Sequence, residues 1–165
     1  MCVARVRCTC GALVCFRVRY GLPRDPRIAV LANFNTLDKL RPLSFGTWMR
    51  VMRRHPASVL WLLQPRDTAV QQRLMHEAAA RGVHASRIVF APRMGRLEHL
   101  ARYQVVDLFL DTHVYTAHST AADALWGAAP LLVCPAPTFQ GRVSASLLRS
   151  LRTPWLEASS FKVCV

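Results

Sequence analysis

Short apolar runs alternate with segments of helical periodicity along most of this chain. Each run holds three to five residues, and the segments between runs repeat their apolar residues every three or four positions. Such runs are typical of strands that are buried on both faces of a parallel sheet. The predicted strands are 28–32, 59–63, 87–91, 106–110 and 131–133. The alternation therefore predicts an α/β fold, a Rossmann-like parallel sheet with helices on both faces.

The helical segments carry start and stop signals. Ser44 is placed to cap a helix that ends near His55, and Gly82 is placed to end the next helix in a left-handed conformation. Helices are predicted at 44–55, 67–81, 96–103, 119–127 and 142–151. The first four each join two predicted strands, as repeated βαβ units require.

Length and composition exclude several classes of protein. The 165 residues suit one domain of ordinary size. With 52% hydrophobic and 19% charged residues, the chain can bury a core, which excludes a disordered polyelectrolyte. No stretch reaches the roughly 18 consecutive apolar residues of a membrane-spanning helix, so no membrane partner is predicted.

The formal net charge of +13 suggests nucleic acid as a partner, but its composition argues against that interpretation. All basic residues except Lys39 and Lys162 are Arg, whereas nucleic-acid surfaces usually use both types. Arg on solvated helix faces explains most of the excess. Recognisable nucleic-acid-binding patterns and interleaved surface aromatics are missing, so no nucleic-acid partner is predicted. A basic nucleic-acid-binding module stays as an alternative.

Four of the six Cys lie close to the beginning of the chain, at Cys2, Cys8, Cys10 and Cys15. Their spacing lacks the paired C-x2-C of a structural zinc site. The other two, Cys134 and Cys164, are far along the sequence. We therefore predict neither a metal site nor a disulfide framework. Residues 1–20 are interpreted as an Arg- and Cys-rich leader; a transit peptide and a wrongly joined segment both remain open.

Candidate functional residues lie in the loops that follow the predicted strands, where open α/β sheets bind their ligands. Three such loops are rich in polar side chains, and they span 34–39, 92–96 and 111–120. The chain has neither G-x-G-x-x-G nor G-x4-G-K-[ST], which disfavours ordinary NAD and P-loop chemistry.

The third loop gives the sharpest signal, because His118, Ser119 and Thr120 stand where a helix begins. Unpaired N–H groups and the positive end of the helix dipole suit a diphosphate there. The alternative is that Ser119 or Thr120 only caps the helix.

Other residues near these loops have two interpretations each. The compact ammonium of Lys39 suits a leaving phosphate, but it also suits a solvated loop. His99 and Arg102 form either a ligand-facing pair or a surface pair. Asp123 either binds a ribose hydroxyl or favours the helix N-terminus.

A series of short motifs follows one order along the chain. They are Gly21-Leu22-Pro23, Asn33-Phe34-Asn35 with Lys39, Ser58-Val59-Leu60-Trp61-Leu62-Leu63, Glu98-His99 with Arg102, Asp107-Leu108-Phe109-Leu110-Asp111-Thr112, Ala117-His118-Ser119-Thr120 with Asp123, and Arg142-Val143. In this order, residues 21–157 resemble the C-terminal catalytic lobe of the O-linked N-acetylglucosamine (O-GlcNAc) transferases. Residues 158–165 form an unmatched tail.

The resemblance implies one lobe of an inverting GT-B glycosyltransferase that uses UDP-GlcNAc and modifies Ser or Thr of cytoplasmic or nuclear proteins. By the same resemblance, Lys39 contacts the diphosphate and is the predicted catalytic residue. The remaining nucleotide-sugar contacts are then His118, Ser119 and Thr120 at the phosphates, Asp123 and His99 at the ribose, and Arg96 and Arg102 near the uracil. No metal is implied.

The chain departs from the family at three positions. Ser119-Thr120 stands where two Thr usually follow the His, and Thr36 stands where a Gln is common. Met94 stands at the backbone position beside the uracil, in a loop of different sequence. Thr36 and Met94 are nonetheless retained as predicted binding residues.

Because a GT-B site lies between two lobes, we expect acceptor proteins to be held by regions outside this chain. A protein O-fucosyltransferase relative that uses GDP-fucose is an alternative, disfavoured because its members usually lack a His at position 118. A degenerate, non-catalytic fragment is a further alternative.

Overall fold

The computed structural model describes residues 10–160, and within them five short strands form a single sheet. The strands are β1 (Ala29–Asn33), β2 (Ser58–Leu63), β3 (Ile88–Ala91), β4 (Leu108–Leu110) and β5 (Leu131–Leu132). The helices are α1 (Cys10–Arg19), α2 (Pro42–Arg54), α3 (Thr68–Ala80), α4 (Arg96–Ala101), α5 (Ser119–Trp126) and α6 (Val143–Ser150). Short 3-10 turns occur at Leu37–Lys39, Ala85–Arg87, Arg102–Val105 and Pro154–Leu156.

All neighbouring strands are parallel, in the order β3-β2-β1-β4-β5. Val30 pairs with Val59 on one side of β1, and Ala32 pairs with Phe109 on the other. The chain proceeds outward from β1 to β3 and then returns to add β4 on the opposite side. The strand order therefore reverses between β1 and β4, which is where such sheets bind their ligands.

Apolar side chains cover both faces of the sheet. In β2, Trp61 belongs to one buried cluster and its neighbours Leu60 and Leu62 belong to the other. Residues of α5 and α6 belong to the cluster of Trp61, and residues of α2 and α3 belong to the cluster of Leu60 and Leu62. This alternation follows from the period of two in a strand, and it explains why the whole of β2 is apolar after Ser58. The predicted Rossmann-like α/β fold is confirmed.

The start of α2 differs from the prediction. The helix begins at Pro42, a favoured first residue, and Ser44 lies inside its first turn rather than at the cap. The buried Ser44 hydroxyl instead contacts the backbone of His113, accepting from its N–H at 3.2 Å. At the end of α3, Gly82 has a φ of +77°, as predicted for a helix C-terminus.

The predicted leader also differs from the structure over its described part. Helix α1 packs against the 3-10 turn Arg102–Val105. Its Arg17 is buried and donates to Asp107 Oδ2 at 3.1 Å and to the Ile28 carbonyl at 2.9 Å. Tyr20 follows in the core, 5.3 Å from Trp61 between ring centroids. Residues 10–20 are thus part of the folded unit, because the ion pair of the buried Arg17 with the partly exposed Asp107 and an aromatic contact attach them to it.

The remaining sequence predictions for the ends of the chain fall partly outside the described residues. Cys2, Cys8 and Cys164 lie in segments that the structure does not describe, whereas Cys15 is an exposed free thiol. Ala158 donates its N–H to Val133 at 2.8 Å, so the start of the tail contacts the sheet. Over residues 10–160, no three His, Cys, Asp or Glu side chains are grouped as metal ligands. None of the described helices could cross a membrane.

Candidate functional site

The loops after β1, β3 and β4 meet at the carboxyl edge of the sheet. Lys39, from the first loop, donates to the Thr116 carbonyl in the third at 3.1 Å. Arg96, at the start of α4, lies 3.3 Å from Asp123 of α5. These two contacts bring together segments that are far apart in sequence, as the predicted parallel sheet requires. They form the site described below.

Lys39 is the last residue of the 3-10 turn Leu37–Lys39, and its side chain extends towards the third loop. Its Nζ lies 3.9 Å from the centroid of the Tyr115 ring, in addition to the bond to Thr116. Burial lowers the pKa of Lys39 below its ordinary value, and the nearby Asp111 opposes this effect. Lys39 is therefore a half-buried ammonium that faces the third loop, not a freely solvated loop residue.

Asp111 organises the loop that Lys39 faces. Its Oδ1 accepts from the N–H of Thr112 at 2.7 Å and of Ala117 at 2.8 Å, which folds the loop back on itself. The same oxygen accepts from the Asn35 amide at 3.2 Å and so joins the loops after β1 and β4. Only 5% of Asp111 is exposed, and burial raises its pKa to about 6. The loop geometry at the site thus depends on one buried carboxyl group.

The sequence interpretation gave no role to Asp111 or to its partners. Asn33 supports the same junction, since its side chain donates to the Leu110 carbonyl at 2.6 Å and accepts from Asn35 N–H. The available signal was positional, because Asn33 and Asp111 each lie at or directly after the end of a buried strand. Small polar residues at such places satisfy loop backbone that is shielded from water.

Helix α5 directs its N-terminus into the site. His118 is the cap residue and its side chain makes no capping hydrogen bond. Ser119 and Thr120 are the first two helical residues, so neither acts as the cap. Within residues 10–160, nothing accepts from their backbone N–H groups, whereas Ala121 and Ala122 donate to the His118 carbonyl. The helix therefore offers two unsatisfied donors and the positive end of its dipole to an anion.

His99, Asp123 and Arg96 form a second group beside α5. His99 Nε2 lies 4.0 Å from Asp123 Oδ2, and its ring packs against Phe34 and Tyr103. Burial, reinforced by the charge of Arg102, lowers the pKa of His99 to about 4, with Asp123 opposing. His99 is consequently neutral at neutral pH. A neutral imidazole and a carboxylate are suitable partners for hydroxyl groups.

Arg102 is wholly buried beneath this group. Its guanidinium lies 4.0 Å from the centroid of the Phe34 ring and donates to the Pro92 carbonyl at 2.9 Å. Burial lowers the pKa of Arg102 to about 10, and two of its nitrogens have no partner in the described part of the chain. Arg102 therefore supports the loop that carries Met94, and its contact with uracil stays a prediction.

Thr36 and Met94 lie at the margin of the site. Thr36 is exposed, and its carbonyl accepts from Lys39 N–H at 3.1 Å, which closes the turn that carries Lys39. Met94 is half-buried against the core. A cavity of about 600 Å³ opens beside Thr36 and is lined by Gln64, Arg66 and Arg93 among others. It adjoins the Lys39 turn but does not include the N-terminus of α5.

Comparison with known proteins gives a consistent result. A sequence model of glycosyl transferase family 41 matches residues 4–163. A UDP-N-acetylglucosamine–peptide N-acetylglucosaminyltransferase of Caenorhabditis elegans is 34% identical over 150 residues, 91% of this chain. The Arabidopsis thaliana protein SEC, named as a probable enzyme of the same kind, is 37% identical over 131 residues, 79% of this chain.

A solved structure agrees with these sequence matches. The chain superimposes on a mutant of Thermobaculum terrenum O-GlcNAc transferase with a TM-score of 0.80 and 28% sequence identity, over 85% of this chain and 27% of the other. In contrast, the chain spans only 13% of the length of each of the two relatives. The family match begins at residue 4, ahead of the boundary at residue 21 that the sequence motifs indicated.

Proposed function

This chain belongs to glycosyl transferase family 41, and from that membership we propose that it is the donor-binding lobe of a protein O-GlcNAc transferase. One observation carries the proposal: the Lys39 ammonium and the N-terminus of α5 are held on the same loop. Two sources of positive charge at one edge of the sheet suit the two phosphate groups of a nucleotide sugar. The donor is UDP-GlcNAc.

In the proposed reaction, a Ser or Thr hydroxyl of an acceptor protein attacks the anomeric carbon of GlcNAc. The bond from that carbon to the diphosphate breaks with inversion, the hydroxyl proton passes to water, and UDP leaves with additional negative charge. Lys39 and the N–H groups of Ser119 and Thr120 stabilise that charge, with His118 beside them. We propose that these groups take the place of a divalent cation, so that no metal is required.

The second group of residues binds the nucleoside. His99 and Asp123, 4.0 Å apart, are proposed to hold the ribose hydroxyls. Arg96 lies 3.3 Å from Asp123 and is 74% exposed, and it is proposed to contact the uracil beside that pair. Met94 and Arg102 are proposed to act on the uracil side. The buried Arg102 acts there by donating to the Pro92 carbonyl and so holding the loop that carries Met94. Thr36 is proposed to bind on the side of the diphosphate.

Acceptor proteins are proposed to bind to regions outside this chain, because a GT-B active site lies between two lobes. The described lobe alone then binds UDP weakly and transfers sugar very slowly or not at all. The proposed acceptors are cytoplasmic or nuclear proteins. Neither a nucleic acid nor a membrane is a proposed partner.

Thermal unfolding in the presence of nucleotides tests the proposal. UDP at millimolar concentration is expected to raise the Tm, because it binds only to the folded state. GDP is expected to raise it less, and EDTA is expected to leave the UDP effect unchanged. A larger effect of GDP would instead assign the chain to a fucosyltransferase-like donor.

Nucleic acid provides the opposing arm of the same experiment. A basic nucleic-acid-binding module would show sub-micromolar affinity that falls steeply with salt. If RNA or DNA stabilises the chain in that way and UDP does not, the proposal is overturned.

A further inference from the structure

Tyr115 lies between the two positively charged elements of the site. Its ring centroid is 3.9 Å from Lys39 Nζ and 5.2 Å from the centroid of the His118 ring. Its side chain is 46% exposed, so it is not a core residue. The sequence motifs gave it no role. An exposed aromatic ring in contact with a half-buried ammonium needs an explanation other than burial of apolar surface.

The backbone on both sides of Tyr115 is fixed. The Thr112 hydroxyl donates to the Tyr115 carbonyl at 2.8 Å. Thr116 donates to the Gln140 carbonyl twice, from its N–H at 3.0 Å and from its hydroxyl at 2.6 Å. These bonds hold the loop in one conformation, and the ring is presented to Lys39 from a rigid base despite its exposure.

The ammonium of Lys39 is restrained from two sides as a result. One N–H is used by the Thr116 carbonyl, and the face of the Tyr115 ring occupies a second side. An ammonium has three donors, so the remaining directions are those not taken by the loop. The ring also favours the protonated form, because the negative face of an aromatic ring attracts a cation. The charge of the buried Asp111 also favours the protonated form of Lys39.

We propose that Tyr115 is a positioning residue that holds the Lys39 ammonium, charged and in place, beside the N-terminus of α5. This inference rests on the proposed function for its consequence, namely diphosphate binding. The contact itself exists without any ligand, which allows the two ideas to be tested separately. Tyr115 acts through its ring and not through its hydroxyl.

The first test uses no nucleotide. The chain has only two lysines, Lys39 and Lys162, so lysine labelled with ¹³C at Cε gives two signals, which Lys39→Arg assigns. The ε-protons of Lys39 are expected upfield of those of Lys162 in the native chain and in Tyr115→Phe, because both rings shield them. In Tyr115→Leu the shift is expected to disappear. Identical Lys39 signals in the native chain and Tyr115→Leu would overturn the proposal.

The second test measures the affinity for UDP. Tyr115→Leu is expected to weaken binding about three- to tenfold, the range of one ammonium–ring contact, and Tyr115→Phe is expected to restore it. In the Lys39→Ala background, Tyr115→Leu is expected to have no further effect, because a positioning residue acts through the residue it positions.

The outcomes separate the inference from the proposed function. If the native chain binds no UDP, the proposed function fails and the ring-current measurement alone decides the role of Tyr115. If UDP binds and Tyr115→Phe is as weak as Tyr115→Leu, the hydroxyl and not the ring is responsible and the inference is wrong. An equal loss in the Lys39→Ala background would also contradict it.

Discussion

Asp111 shows how much of the site depends on a single buried side chain. It accepts hydrogen bonds from two backbone N–H groups of its own loop and from Asn35 of the neighbouring loop. Lys39 in turn donates to a carbonyl of the loop that Asp111 shapes. The position of the proposed catalytic lysine is therefore linked to a carboxyl group that is not itself in the diphosphate site.

We expect Asp111→Ala to lower the free energy of unfolding by about 3 kcal/mol, because two buried backbone donors and an amide lose their acceptor. Asp111→Asn is the matched control, since its amide oxygen keeps an acceptor in place. It is expected to cost about 1 kcal/mol or less. Urea unfolding of both variants measures the difference. Equal losses in the two variants would show that the hydrogen bonds to Oδ1 do not support the loop.

His99 makes stability depend on pH in a defined window. Its pKa of about 4 in the folded chain lies below the ordinary value of 6.5. Between these values the unfolded chain binds the proton first, so stability is expected to fall as the pH falls from about 6.5 to about 4. The pKa of Asp111, raised to about 6, acts in the opposite direction over part of this range.

The contribution of His99 is isolated by comparing the native chain with His99→Gln in urea at several pH values. Asp111 is present in both chains and its effect cancels. The native chain is expected to lose stability relative to His99→Gln as the solution is acidified through the window. A constant difference from pH 7 to pH 4 would contradict the burial of a neutral imidazole.

The sequence could indicate some of these residues and not others. Lys39 and His118 lie in loops after strands and Asp123 lies in the helix that follows one, so residue type and position were enough to propose them. Tyr115 and Asp111 act through contacts between loops that are far apart in sequence. Asn35 and Asp111, for example, are hydrogen-bonded although 76 positions separate them. Those contacts depend on strand order and on loop conformation, which residue patterns do not contain. Arg102 was predicted to be a binding residue, but its complete burial was not foreseen.

Among the secondary-structure elements, α1 gives the clearest contrast between sequence and structure. Its composition, rich in Arg and Cys, resembled a leader, and its apolar residues gave no strong helical stripe. The structure attaches it through Arg17, which reaches Asp107 at the start of β4 and two backbone carbonyls. A buried Arg cannot be distinguished from a solvated one by composition. Strands β1 to β5, in contrast, were predictable because their burial on both faces requires continuous apolar runs.

The attachment of α1 can be measured with two neighbouring arginines. Arg17→Met keeps the aliphatic stem but removes the charge, and it is expected to cost about 3 kcal/mol, because Asp107 loses a buried partner. Arg19→Met removes an ion pair to Glu98 whose side chains are 60% and 51% exposed. It is expected to cost less than about 1 kcal/mol. Equal effects of the two substitutions on urea unfolding would indicate that α1 is not part of the cooperative unit.

For the whole molecule, the parallel sheet and its two covered faces were predictable, but the order of the strands was not. Residue patterns give strands in chain order, whereas the reversal between β1 and β4 depends on which edge the later strands join. That reversal is what places the Lys39 turn next to the N-terminus of α5. The net charge of +13 therefore does not by itself indicate a nucleic-acid partner. Only a few of the basic groups, with Lys39 first among them, face the proposed ligand.

The central claim is that this lobe binds UDP through Lys39 and the N-terminus of α5, and titration calorimetry with UDP tests it most directly. Lys39→Ala removes one charge inside the site, and Arg54→Ala removes one at the exposed end of α2, at the opposite edge of the sheet. We predict that UDP binds the native chain and Arg54→Ala with affinities within about twofold, and Lys39→Ala at least about tenfold more weakly. No binding heat with the native chain, or equal affinities for all three proteins, would contradict the claim.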